Sequence, residues 1–153
     1  MVLVSNTLTK FSQSALNGRS KVIEWFSIKT PQFTDAQTAK ILTNNAVQLG
    51  LIESRTIVHG KTLRSWCKER DGSNIQFWAA VSAVDLLIKI GWLPSKADEW
   101  SVWSSSLVRT NESLKSPESF DKLIPDGMTR EIAYKWLQLA LSDSEAYKKA
   151  KAR

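Results

Sequence analysis

The sequence predicts an all-α protein, a compact multi-helix domain with a C-terminal helical extension. Glycine and proline, the residues that most often interrupt helices, number only six and four among 153 residues. Apolar residues recur at helical spacing along most of the chain, and no run of alternating apolar and polar residues is long enough to define a sheet. A hydrophobic content of 42% is sufficient for a core in a chain of this length.

The N-terminal third is predicted to contain an arm and two helices. Residues 1–18 are rich in Ser, Thr, Asn and Gln and end in an Asn-Gly turn signal, so we expect a loosely ordered arm. A short helix is predicted over residues 20–28. Thr34 and Gln37 have the spacing of a capping box, and the helix that they begin carries apolar residues at helical spacing as far as Gly50.

Two helices of opposite character follow a predicted connector at residues 51–59. The stretch from Gly60 to Arg70 is basic and has only a narrow apolar stripe. Residues 74–91 are apolar on nearly all sides, which is typical of a central core helix. The thin polar stripe of this helix consists of Ser82, Asp85 and Lys89, of which the last two are spaced as a helix ion pair.

Residues 95–153 are predicted to form a C-terminal helical subdomain that follows a core at residues 19–94. A helix is expected to start after Ser95 and to weaken at the three serines of 104–106. The Ser-Pro pair at 116–117 predicts a short helix, because proline is favoured at the first helical position. Thr129 is predicted to cap the last helix.

Charge is unevenly distributed along the chain. The net charge is +6 and the isoelectric point is about 9.6. Residues 1–91 carry a net charge of +5, residues 92–127 of −2 and residues 128–153 of +3. This pattern favours an anionic partner for the basic segments but not a uniform polycation.

Several classes of function are not expected from the composition. One cysteine excludes an intramolecular disulfide framework and a cysteine-rich zinc site, and one histidine excludes a metal site with several histidine ligands. His59 and Cys67 have no spacing that requires them to meet, and no phosphate-binding glycine loop is present. No signal peptide or membrane-length apolar run is found. We therefore expect a cytoplasmic, non-enzymatic protein without cofactor, metal or membrane association.

Residues 54–70 are the start of the most informative part of the chain and form a basic stretch, with five Lys/Arg residues against the single acid Glu69. A capped helix that ends in Leu49-Gly50-Leu51 precedes it, and Asp71-Gly72 and the long apolar helix follow it. This order resembles that of helix-turn-helix DNA-binding regulators of phages and mobile elements, over residues 34–91. The nine-residue connector is longer than the turn of the simplest members.

The resemblance implies a recognition helix whose inner residues Leu63 and Trp66 hold it on the domain. The outer residues and their flanks would contact base edges or phosphates of double-stranded DNA. These residues are Arg55, Lys61, Thr62, Arg64, Ser65, Lys68 and Arg70. The alternative is that this charged face is only a solvated helix surface.

Seven tryptophans are many for this length. Four lie on apolar helical faces and are predicted to be core residues: Trp25, Trp66, Trp78 and Trp136. Three lie in the acidic segment and are candidates for a dimer or partner surface, because tryptophan is enriched in interface anchors; packing in the core is the alternative. These are Trp92, Trp100 and Trp103.

The leading hypothesis is a DNA-binding transcriptional regulator of a phage or mobile element that acts as a homodimer. A second hypothesis is a small phage-encoded inhibitor that binds a host protein or nucleoprotein complex through the same basic stretch. A third is an accessory protein of DNA replication or packaging.

Overall fold

The computed structural model describes residues 2–54, 57–68, 72 and 74–152, and the side chains of residues 10–149 within those ranges. The described residues are helical or irregular and include no strand, which confirms the predicted all-α class. A 3-10 helix, Pro117–Leu123, lies between the fifth and sixth α-helices. The α-helices are α1 (Val2–Lys29), α2 (Asp35–Gln48), α3 (Gly60–Lys68), α4 (Phe77–Lys89), α5 (Ala97–Thr110) and α6 (Arg130–Ala152).

The chain forms two compact units. One unit comprises residues 16–93, and the other combines the segment up to residue 15 with the segment from residue 94 onward. We call them the central unit and the terminal unit.

The N-terminal segment is the largest departure from the expected elements. Residues 2–18 belong to a 28-residue helix, whereas the sequence predicted a loosely ordered arm and a helix of about nine residues. Phe11 is buried, and its ring lies 6.5 Å from that of Trp136 in α6. Tertiary packing of one helical face therefore outweighs the low helix propensity of the Ser, Thr and Asn residues here.

In the central unit, α2 packs against both α3 and α4. Its start is the predicted capping box: the Gln37 amide donates to Thr34 Oγ1 at 3.2 Å, and the Thr34 amide donates to Gln37 Oε1 at 2.8 Å. The core consists of apolar side chains from all four helices of the unit and from the segment just before α4. Among them are Val22, Ile23, Leu42, Leu63, Ile75, Ala83 and Leu87.

The polar stripe of α4 connects this helix to α2. Ser82 is fully buried, and its hydroxyl donates to the Leu42 carbonyl at 2.7 Å. Asn45 Nδ2 donates to Ser82 Oγ at 3.2 Å and to Asp85 Oδ2 at 3.1 Å. The predicted ion pair between Asp85 and Lys89 is present, with 2.9 Å between the charged atoms. Ser82 and Asp85 of the stripe therefore belong to an interhelical hydrogen-bond network, whereas the Lys89 side chain is exposed to solvent.

In the terminal unit, α5 packs against α6, and α6 also packs against the 3-10 helix. The helix α5 continues through its three serines, contrary to expectation. Ser104 Oγ donates to the Trp100 carbonyl at 2.8 Å, and Ser106 Oγ donates to the Val102 carbonyl at 2.6 Å. Because each hydroxyl is satisfied by its own helix, the serines can be buried without interrupting it.

The division of the tryptophans into buried and exposed residues differs from the prediction. Trp66 and Trp78 are buried as expected and meet edge to face, with ring centres 6.2 Å apart. Trp25, by contrast, is 36% exposed and lies under the Lys29 ammonium. Its position on α1 is about 100° away from the centre of the arc of buried residues.

The predicted partner surface must also be corrected. Trp103 is only 2% exposed and Trp92 is likewise buried, so neither ring is available to a partner in this conformation. Trp100 is half-buried, with its ring edge to face on that of Trp103 at 5.6 Å. The alternative that tryptophans pack in the core therefore applies to Trp92 and Trp103.

Among the described residues, every helix is too short or too polar to cross a membrane. Within the same part of the chain, no three His, Cys, Asp or Glu side chains come together in a way that could hold a metal ion.

Candidate nucleic-acid interface

The inner side of α3 is fixed to the central unit by two buried side chains. Leu63 is fully buried and Trp66 nearly so. The Trp66 carbonyl also accepts a hydrogen bond from Ser20 Oγ of α1 at 2.9 Å. This nine-residue helix is too short to be stable alone in water, so these contacts hold it in place.

The outer side of α3 carries five polar residues, all of them exposed. At about 100° per residue, four of them fall within an arc of about 100°, and the fifth, Thr62, borders it. Three are cationic, and α3 itself contains no acid. We call this set the basic face; it consists of Lys61, Thr62, Arg64, Ser65 and Lys68.

Gly60 brings the start of α3 against the start of α2. A Cβ atom at this position would lie 2.7 Å from the Ala36 amide nitrogen and 3.1 Å from the Asp35 carbonyl carbon. Any side chain would therefore push the two backbones apart. The approach is so close that the two helix starts are positioned by backbone contact.

This approach places Asp35 beside the basic face. Arg64 Nε donates to Asp35 Oδ2 at 2.8 Å, while the Arg64 side chain remains 65% exposed. Asp35 could not be identified from the sequence, because the two residues are 29 positions apart and no periodic pattern links them. The only local signal was an acid in the first turn of a capped helix, which is common for helix stability alone.

Cys67 lies at the border of the inner side of α3 and is half-buried. Burial is the main reason that the pKa of its thiol rises from 9.0 to about 11, and the carboxylates of Glu24 and Asp35 raise it further. A thiol with this pKa is protonated at neutral pH and is a poor nucleophile. The prediction that Cys67 has no catalytic role stays a prediction, and the raised pKa is consistent with it.

Two of the seven predicted contact residues, Arg55 and Arg70, lie outside the described residues. The structure brings the other five together on one helix face. Between α2 and α3, the described residues of 49–59 form turns and irregular chain. Gly50 takes a positive φ of 78° there, and the Leu51 amide donates to the Ala46 carbonyl at 3.0 Å, as in a Schellman helix end.

No protein-family model, curated protein or solved structure matches this chain. The function must therefore be inferred from the residues of the site.

Proposed function

We propose that this chain is a non-enzymatic protein that binds double-stranded DNA through the basic face and regulates transcription in a phage or mobile element. The observation that carries the proposal is the division of α3 into two sides. Its polar and cationic residues are all exposed, whereas Leu63 and Trp66 fix the opposite side to the core. A charged face on a rigidly held helix is the arrangement that reading a groove requires.

The dimensions of α3 suit the major groove. An α-helix with its side chains is about 10–12 Å in diameter, and the groove is about 12 Å wide. Lys61 and Lys68 are seven residues apart on the same side of α3, so their ammonium groups can reach phosphates at two points. Between them, Ser65 and Arg64 offer donors to phosphates or base edges.

A protein partner with an acidic surface would be attracted by the same cations. Sequence-dependent binding to duplex DNA separates the two hypotheses, because a charge match to a protein predicts no preference among DNA sequences. The same cations would serve an accessory protein of replication or packaging that binds any duplex.

The test is fluorescence anisotropy of labelled duplexes over a salt series, comparing random fragments with DNA from upstream of the protein's own gene. Tight binding that prefers the upstream fragment supports a regulator. Weak and equal binding that disappears as salt rises contradicts it. Light scattering of the same complexes measures whether one or two copies bind, as the dimer hypothesis requires.

Two matched variants each remove three positive charges, one from the basic face and the other from the surface of the terminal unit. Lys61→Gln, Arg64→Gln and Lys68→Gln together should lower the slope of log affinity against log salt by about two, since Lys61 and Lys68 each contribute about 0.9 as phosphate contacts. The control replaces three exposed lysines of the terminal unit, Lys115, Lys122 and Lys135, with Gln. An equal loss in the control would show that net charge alone attracts the DNA.

A further inference from the structure

The pair between Arg64 and Asp35 uses only one edge of the guanidinium group. Nε donates to the carboxylate at 2.8 Å, and among the described residues no other hydrogen bond or ion pair involves Arg64. The described part of the chain therefore leaves the hydrogens of both terminal nitrogens available to an outside acceptor. They form the edge of the planar group on which two donors lie side by side.

The position of Asp35 is fixed by more than a surface contact. It is the first residue of α2, directly after the capping box of Thr34, and its backbone lies against Gly60. Arg64 is one helical turn beyond Gly60 on α3. The carboxylate is thus attached to the start of α2, and the guanidinium to α3 one turn after the start that touches α2, so the backbone contact brings the two side chains within reach of each other.

We propose that Asp35 is a positioning residue that orients Arg64 for bidentate recognition of guanine in the major groove, an inference that rests on the proposed function. Guanine presents two adjacent acceptors there, O6 and N7, which match the two terminal nitrogens of Arg64. Adenine presents one acceptor and one donor, and therefore cannot accept both hydrogen bonds. By holding Nε, Asp35 keeps the two-donor edge directed outward and reduces the rotamer freedom lost on binding.

The simpler alternative is an exposed ion pair that only neutralises one charge of the basic face. The two hypotheses predict different effects of Asp35→Asn. Loss of a counter-charge raises the affinity for all duplexes by a similar factor and leaves their ranking unchanged. Loss of a positioning residue reduces the preference for guanine, whatever happens to the average affinity.

The experiment selects binding sequences from a random duplex library with the wild-type chain and then measures affinity for the selected site and for single-base changes. We expect one position at which guanine is required. Replacing it with 7-deazaguanine, which lacks the N7 acceptor, should weaken wild-type binding roughly tenfold. In Asp35→Asn the same replacement should weaken binding less than about threefold, and Asp35→Glu should partly restore the difference.

Two control variants isolate the effect. Glu24→Gln removes another exposed carboxylate whose charge acts on Cys67 of α3, and it should keep the full guanine preference. Arg64→Lys keeps the charge but has no two-donor edge, so it should lose the preference. Circular dichroism of each variant checks that α2 and α3 remain folded.

The outcomes separate the two proposals. If Asp35→Asn retains the tenfold sensitivity to 7-deazaguanine, Asp35 does not position Arg64, while sequence-specific DNA binding stands. If the selected site contains no required guanine, the assignment of the base is wrong. If the wild-type chain enriches no sequence at all, the proposed function fails, and this inference fails with it.

Discussion

The central and terminal units differ in where their polar side chains lie and in which groups these side chains bond to. In the central unit the cations of α3 all lie at the surface, and the buried hydroxyl of Ser82 joins one helix to another. In the terminal unit α5 buries Ser101, Ser104, Ser106 and the carboxylate of Glu99. Two of these serine hydroxyls are satisfied by their own helix alone. A serine in a helix sequence is therefore weak evidence of a surface, because its hydroxyl can bond to a backbone carbonyl of its own helix or of a neighbouring one.

The largest expected difference in stability between variants of the two units comes from their tryptophans. Trp103→Ala in the terminal unit should lower the free energy of unfolding by about 3–5 kcal/mol, because it removes a large buried ring and leaves a cavity. Trp25→Ala in the central unit is the matched control and should cost less, about 1–2 kcal/mol, since that residue is 36% exposed and its ring contacts the Lys29 ammonium at the surface. Urea unfolding followed by far-ultraviolet circular dichroism measures both. Equal losses of stability in the two variants would contradict the assignment of Trp103 as buried and of Trp25 as exposed.

Gly72 tests whether the central unit depends on close backbone contact. Gly72→Ala should cost about 3 kcal/mol or more, because φ is +67° and an added Cβ would lie 1.8 Å from the Leu16 carbonyl oxygen. The control is Gly50→Ala, where φ is +78° but nothing lies within 4 Å of the added atom. Its cost should be only the backbone strain, about 1 kcal/mol. Urea unfolding measures the free energy lost in each variant, and the difference between the two losses is the cost of the steric clash at Gly72. A difference near zero would show that the backbone moves to relieve the clash.

The elements that sequence reasoning located best are those with strong local signals. The capping box of α2, the two-sided α3 and the ion pair of α4 all depend on residues within a few positions of one another. The N-terminal helix was missed because its composition resembles that of a loop, and its stability comes from distant residues such as Trp136. Propensity is a weak guide where tertiary packing decides.

The candidate site was predictable in part for the same reason. The five exposed residues of the basic face follow from helical periodicity around Leu63 and Trp66. Asp35 does not, because its pairing with Arg64 depends on how α2 meets α3. Trp92 and Trp103 were misplaced because interface enrichment of tryptophan is a statistical preference, and the burial of a ring depends on the tertiary fold.

The serines provide a finer test of the difference between the units. Ser82→Ala should cost about 1–2 kcal/mol, because the hydroxyl both donates to Leu42 of α2 and accepts from Asn45 in a buried site. Ser104→Ala should change the stability by less than about 0.5 kcal/mol, since its hydroxyl bonds only within α5 and alanine is the better helix former. Thermal and urea unfolding of the two variants provide the comparison. A larger loss of stability in Ser104→Ala than in Ser82→Ala would mean that the Ser104 hydroxyl contributes more than its hydrogen bonds within α5 account for.

Each unit contains an acidic group whose pKa is raised mainly by burial. In the terminal unit the pKa of the Asp143 carboxyl is raised by burial, although a hydrogen bond from Ser12 and the charge of Arg109 act in the opposite direction. In the central unit burial likewise raises the pKa of the Cys67 thiol. In both cases the folded state holds its proton more tightly than the unfolded state does. Both contributions to stability are therefore lost as pH rises, at acidic pH for Asp143 and at alkaline pH for Cys67.

The smallest expected effect is the alkaline contribution of Cys67. The thiol titrates near pH 9 when unfolded and near 11 when folded, so between these values the unfolded chain releases a proton that the folded chain retains. The free energy of unfolding should therefore fall with rising pH more steeply in the wild-type chain than in Cys67→Ala. Because lysines and tyrosines titrate in both chains, the difference between the two curves isolates the thiol. Urea unfolding from pH 8 to 11 measures it, and parallel curves would show that Cys67 is as accessible in the fold as in the unfolded chain.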